Sequence, residues 1–253
     1  MKLAISNICF NDSNKLQVLK SCSEHGISNI EYAFSKINDI SDSDLLKFNH
    51  KSCQSLFYNS DIKSFSEEDL VHNHLLKVLD GVGVFGTDIL VLGSPSLRTP
   101  GSKNSLLKTL SKIDPILREK NVFICIEPNC KEYSGSYFFD LEEIVSSILS
   151  YQFTNIKTMI DTHNLILEGH DPTNQFNEYV DHIYHIHASE PSLGNFMPSD
   201  EHYRLSRELK QCRNPYNSPG GLFSTEYERI ITYEVKDNLN LIQSVKSFAN
   251  IYK

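Results

Sequence analysis

A single closed barrel of eight parallel strands alternating with helices, a (β/α)8 TIM-barrel architecture, is the fold this sequence predicts. Three observations carry the prediction. Eight short apolar runs recur along 253 residues, most of them separated by longer amphipathic segments, which is the pattern of βαβ units and a parallel sheet. Eight units in a chain of this size match the count and length of a (β/α)8 barrel, about 250 residues. The first strand runs into "SNICFNDSNK", which lacks the glycines that cradle a pyrophosphate, so the competing doubly wound sheet is disfavoured.

Taken in order, the strand runs are "KLAISNI" (2–8), "SNIEYA" (28–33), "KSCQSLF" (51–57), "DILVLGS" (88–94), "VFICIEP" (122–128), "NIKTMID" (155–161), "HIYHIHA" (182–188) and "RIITYEV" (229–235). The helical periodicity covers Lys15–His25, Glu67–Gly81, Asn104–Lys120, Asp140–Tyr151 and Asn238–Ile251. Gly26 stands where a helix C-cap belongs, and Ser66 and Asp140 stand where N-caps belong. No repeat or low-complexity linker divides the chain, so residues 1–253 read as one domain. The stretch 211–228, "QCRNPYNSPGGLFSTEYE", is too long for an ordinary connection and reads as an irregular functional insertion or lid before the last strand.

Bulk composition narrows the function. Hydrophobic residues make up 40% of the chain and charged residues 22%, as expected of a soluble protein with a substantial core. The net charge of −8 and the lack of a basic stripe point away from nucleic acid and anionic membranes. No run of about 18 apolar residues spans a bilayer, and "MKLAISNICFND" is too short and polar for a signal peptide. The six cysteines are scattered, with no CxxC pair. That argues against a disulfide scaffold or zinc–thiolate site and for a reducing cytoplasm. A homo-oligomer is compatible with the sequence.

The stretch "IYHIHASEP" (183–191) locates the chemistry. Residues two apart on a strand share a face, so His185 and His187 point the same way, with Glu190 just beyond the strand. In isolation the pair reads equally as core histidines hydrogen-bonded inside the protein. The other strand ends decide. They carry Glu31, Gln54, Ser94 with Arg98, Glu127 with Asn129, Asp161 with His163, and Glu234 with Lys236, at the barrel face where catalysis occurs. A single glutamate at a strand end is usually solvated or salt-bridged. Three carboxylates converging on one mouth, however, repel unless a cation or protons compensate them. Glu127, Asp161, His187 and Glu234 form an oxygen-rich set with one nitrogen, suited to one divalent ion. Mn²⁺, Mg²⁺ or Co²⁺ are favoured, and Zn²⁺ is also accommodated.

The sequence also resembles the xylose isomerase-like TIM barrels, the sugar isomerase/epimerase group related to ketose 3-epimerases and endonuclease IV. The matching segments are "QSLF" (54–57), "VLGSPSLR" (91–98), "ICIEPN" (124–129), "MIDTHN" (159–164), "HIHASEP" (185–191) and "ITYEVK" (231–236). The resemblance implies that Glu127, Asp161, His187 and Glu234 hold the metal, with His185 one layer deeper. Two departures point away from free ketohexoses. His163 stands two residues after Asp161, where ketose 3-epimerases place a histidine at the third position, and Leu193 replaces an arginine. Gln54 and "GSPSLR" also stand where endonuclease IV needs extra zinc-binding histidines.

The expected activity is therefore metal-dependent isomerisation or epimerisation of a sugar or sugar derivative, by proton transfer next to a carbonyl. Glu127 and Glu234 are the expected acid/base pair. Gln54, Arg98, Asn129, His163 and Glu190 are the expected substrate-binding residues, Gln54 and Arg98 holding the distal part. The alternatives are a sugar or polyol dehydratase using the same residues, an AP-endonuclease-like hydrolase, and a barrel that binds sugar without turnover.

Overall fold

A computed structural model describes residues 1–9, 11, 13–211, 229–235 and 240–253. Eight parallel strands close on themselves in sequence order: β1 (Lys2–Ser6), β2 (Asn29–Ala33), β3 (Asn49–Gln54), β4 (Ile89–Leu92), β5 (Phe123–Ile126), β6 (Ile156–Asp161), β7 (Ile183–Ser189) and β8 (Ile230–Glu234). The ring is completed by β8 against β1, with Leu3 beside Ile231 and Ile5 beside Tyr233. This is the (β/α)8 barrel the sequence predicts, and each strand lies where an apolar run predicts one.

The helices are α1 (Lys15–Glu24), α2 (Glu68–Gly83), α3 (Lys103–Lys120), α4 (Leu141–Ser150), α5 (Thr162–Leu167), α6 (Pro172–Tyr179), α7 (Asp200–Gln211) and α8 (Leu241–Tyr252). Between β2 and β3 the connection is made by 3-10 turns at Phe34–Ser41 and Leu45–Lys47. Gly26 follows α1 at φ +78, the left-handed conformation that ends a helix with least strain in glycine. Asp140 caps α4 by accepting from the Glu143 amide at 2.8 Å. The expectation for Ser66 is corrected. Glu67 stands at the α2 N-cap, and its carboxylate turns back to accept from the amides of Lys63 (2.7 Å) and Ser64 (2.9 Å).

Strand alternation divides the core into layers. Leu90, Leu92, Ile124 and Ile126 face outward and pack with Leu75, Leu79 and Leu110 of the surrounding helices. Their neighbours Ile89, Val91, Cys125 and Met159 pack together inside the barrel. Each fully buried side chain of this size contributes roughly 1.5–3 kcal/mol. The inward parity runs on past the apolar layer. Cys125 leads to Glu127, Met159 to Asp161, His185 to His187 and Thr232 to Glu234. Register then sets Asp161 beside His187 and Ser189 beside Glu234. The same pairing that builds the core thus carries four polar side chains to one mouth.

Cys9, Cys22, Cys53, Cys125 and Cys130 are buried thiols outside any disulfide. No helix among the described residues is long and apolar enough to cross a membrane. Of the predicted insertion at 211–228, residues 212–228 lie outside the described residues, as does Lys236.

Candidate metal centre and active site

His187 sits at the centre of the mouth, fully buried. Its Nε2 lies 2.8 Å from Glu31 Oε1, while Glu31 Oε2 lies 2.7 Å from His185 Nε2. Strands β2 and β7 are not neighbours, so this contact crosses the lumen. Glu31 is wholly buried. Burial pushes its carboxyl up, but the charges and hydrogen bonds of His187 and His185 hold it far below the usual carboxylate range. An ionised Glu31 accepts the Nε2 proton of His187, which leaves the lone pair of the neutral ring at Nδ1.

That Nδ1 points into the remaining carboxylates. It lies 3.2 Å from Glu234 Oε2, 3.3 Å from Glu127 Oε1 and 3.8 Å from Asp161 Oδ2, and it is buried with no hydrogen-bond partner. One donor atom from each of the four residues falls within 4.8 Å of all the others. The metal set expected from sequence is therefore brought together. Glu127 is steered by Asn129, whose Nδ2 donates to Oε2 at 3.0 Å. Asp161 accepts from Ser189 Oγ (2.9 Å) and the Asn164 amide (2.8 Å). Gly93 leaves room for this arrangement, since a Cβ there would collide with Glu127 Oε2.

The electrostatics of the cluster follow from its crowded charges. Burial and the charges of Glu127 and Glu234 push Asp161 up to about 8. Burial works against a charged His187, but Glu31 and Glu234 raise it well above its ordinary value. Burial likewise pushes Glu127 up, and His187, Asn129 and Arg98 bring it below the usual range. Without a cation, protons held by Asp161 and His187 must balance the carboxylates. Three carboxylate donors and one imidazole nitrogen without a partner fit a hard divalent cation.

Above the cluster lies a cavity of about 320 Å³, lined by Gln54, Asn129, Tyr133, His163, Asn164 and Leu193 besides the carboxylates. Gln54, Asn129 and His163 thus stand where the sequence expects substrate contacts. Gln54 donates to Ser6 Oγ at 2.6 Å. His163 Nε2 lies 3.1 Å from the Tyr133 hydroxyl, and its Nδ1 is buried without a partner.

Two expectations are corrected. Arg98 is completely buried and does not line the cavity. Its guanidinium donates to the carbonyls of Glu127 (2.8 Å), Gly93 (2.9 Å), Leu92 (3.1 Å) and Phe138 (3.2 Å). The left-handed Ser94 and the turn at Pro95–Leu97 carry Arg98 behind the mouth. Glu190 also turns away, accepting from the Met197 amide at 2.9 Å and lying 3.1 Å from His202 Nε2. Two roles escape the sequence reading. Glu31 was one polar strand end among several, and its partner is 156 positions away. Tyr133 ends a short 3-10 turn at Lys131–Tyr133 that no sequence pattern marks.

Residues 17–238 match a family model described as the xylose isomerase-like TIM barrel. Among solved structures, the chain is similar to a 3-keto-D-glucoside 4-epimerase from E. coli (13% identity, TM-score 0.75, 99% of this chain and 97% of that one). It is also similar to a family 2 AP endonuclease from Brucella melitensis (13%, 0.73, 98% and 98%). A third likeness is to a probable 3-DHS dehydratase from Bacillus anthracis (12%, 0.61, 99% and 98%). No curated protein matches the sequence significantly. At these identities the likeness establishes the shared fold, and the activity has to be argued from the site.

Proposed function

Since the chain belongs to the xylose isomerase-like TIM barrel family, we propose that it is a divalent-metal-dependent isomerase or epimerase of a carbohydrate or sugar derivative. The observation that carries this reading is the convergence of Glu127, Asp161 and Glu234 on the unpartnered Nδ1 of His187, at the floor of a cavity of monosaccharide size. These four residues would hold the ion, which supplies the positive charge that makes a carbon next to a carbonyl acidic. Glu127 and Glu234 approach from strands three apart around the barrel, so each reaches a bound sugar from its own side. One takes the carbon-bound proton and the other returns it. Return to the opposite face gives epimerisation, and return to the adjacent carbon gives isomerisation. Asn129 keeps the Glu127 carboxylate aimed inward. Gln54, Tyr133 and His163 are placed to meet substrate hydroxyls.

The two competing activities among proteins of this fold are weaker readings. A nuclease requires a basic track for phosphates, and this mouth is lined by carboxylates. A dehydratase would use the same acid/base pair and becomes the better reading if a hydroxyl is lost during turnover. The deciding experiment is metal analysis of the purified protein, followed by solvent-deuterium exchange against ketoses, aldoses, oxidised glycosides and nucleotide sugars. Wild type should bind one ion with donor atoms at about 2.0–2.3 Å and incorporate deuterium at carbon. Asp161→Asn and His187→Ala should lose most of the metal. Unchanged metal content in both variants would end the metal reading. A protein that binds metal and sugar yet exchanges no carbon-bound proton would end the isomerase reading.

A further inference from the structure

We propose that the substrate carries a second sugar ring, seated in a cavity formed by the loops after β3 and β4. The proposal rests on the reading of the carboxylate pocket as a sugar site. Three residues, Ser55, Ser94 and Pro95, line both the 320 Å³ pocket and a neighbouring cavity of about 580 Å³, so the two adjoin along a shared wall. The pocket alone is at the lower end of the roughly 300–1,000 Å³ typical of small-molecule sites. The extension is the larger of the two, and a free monosaccharide would leave it empty.

Its lining has the mixed character that a sugar ring requires. Tyr58 and Pro95 offer apolar surface for ring C–H groups, while Asn59, Ser60 and Ser96 offer amide and hydroxyl groups. The Ser60 hydroxyl is buried and has no hydrogen-bond partner, an omission that folded proteins seldom leave unfilled. Ser55, Asn59 and Ser94 hold left-handed backbone at φ 53, 63 and 53, a strain of order 1–3 kcal/mol each, concentrated where the cavity is shaped. Among the described residues, no carboxylate lines the extension, and Lys63 is its one cation. A phosphate site would gather several donors, typically an arginine fork. A neutral, hydroxyl-rich group suits this lining better.

The test uses metal-loaded full-length protein and deuterium wash-in. Free D-fructose, D-tagatose and D-sorbose are compared with the ketose-terminated disaccharides lactulose, isomaltulose and turanose, and with D-fructose 6-phosphate. At least one disaccharide should exceed every free ketose by tenfold or more in kcat/KM. Ser96→Trp, an exposed position that fills the extension, should remove that advantage while leaving the free-ketose rate within twofold. Lys63→Ala should leave the disaccharide advantage in place. The proposal is overturned if free ketoses are preferred, if Ser96→Trp affects both classes equally, or if the phosphate ester alone gains and Lys63→Ala abolishes the gain. Exchange with free ketoses but no disaccharide gain refutes the second-ring site and leaves the isomerase reading intact. No exchange with any sugar of this panel or of the aldoses, oxidised glycosides and nucleotide sugars named above, metal being bound, refutes both.

Discussion

The two halves of the barrel mouth carry similar residues and put them to opposite uses. On the β5–β8 side, Glu127, Asp161, His187 and Glu234 leave donor atoms facing a common gap. On the β1–β4 side, the equivalent strand ends are engaged by other groups of the protein. Glu31 is held by two histidines, Gln54 donates to Ser6, and Arg98 is closed over by four carbonyls. A polar residue at a strand end is thus necessary for a ligand site but not sufficient. What separates the halves is whether each charged group, once its partners inside the fold are met, still turns a ligating atom into the common gap.

The hardest test of that division is to alter the open half. Glu127→Gln and Glu234→Gln should each abolish detectable deuterium wash-in. Loss of a positioned acid or base alone typically lowers rate by about 10²–10⁴, and each change also removes a metal ligand. Adding excess Mn²⁺ separates the effects. Restored metal binding without restored exchange assigns the carboxylate to proton transfer, whereas recovery of both would reduce it to a ligand.

Most of the open half was legible in the sequence, because local pattern suffices there. Strand parity places Glu127, Asp161, His187 and Glu234 on the lumen face, and alternation in "HIYHIHA" puts His185 and His187 on the same side. The closed half depends on contacts that no short stretch contains. The bond from His187 to Glu31 spans 156 positions, and the turn at Pro95–Leu97 re-aims Arg98 only in three dimensions. Among helices, α6 begins in "GHDPTNQF", outside the predicted helical stretches, yet Pro172 is tolerated at a helix start and Asp171 caps it through the Thr173 amide. The strongly polar α7 also lies outside the predicted helical stretches, although His202, Leu205, Ser206 and Leu209 share its buried face.

A smaller effect crosses from the closed half to the open one. Glu31 sets which nitrogen of His187 carries the proton, and partners of this kind commonly contribute 10–100-fold in metal affinity. Glu31→Gln should therefore weaken divalent-ion binding by about that factor, as measured by competition with a chelating dye, while Asp161→Asn weakens it more. Equal affinity in Glu31→Gln and wild type would mean that the histidine is oriented by packing alone.

Acidity gives a still finer comparison. Asp161 is raised from an ordinary 3.8 to about 8. In the metal-free fold it keeps a proton that the unfolded chain releases near pH 4. Its contribution to stability is therefore present at low pH and is lost as pH rises from about 4 towards 8. Metal binding must expel that proton and any on His187 Nδ1. Calorimetry at pH 7 in two buffers of different ionisation enthalpy should show between one and two protons released, with affinity rising up to pH 8. Zero proton release would contradict the charge balance described for the cluster.

The smallest effect on the site should come from the residue that sequence reasoning placed in it and the fold places behind it. Arg98→Met keeps the aliphatic stem but removes the donors serving the carbonyls of Leu92, Gly93, Glu127 and Phe138. Leaving a buried acceptor unsatisfied costs about 1–3 kcal/mol, and 1 kcal/mol shifts Tm by roughly 2–4 °C in a protein of 150–250 residues. A fall of several degrees in Tm is expected, with KM for an active substrate within about threefold of wild type. Arg98 also helps lower the pKa of Glu127, so a modest change in the pH profile of kcat should accompany the loss of stability. If Tm stays constant and KM rises tenfold or more, Arg98 reaches substrate after all, and the closed half of the mouth must open during turnover.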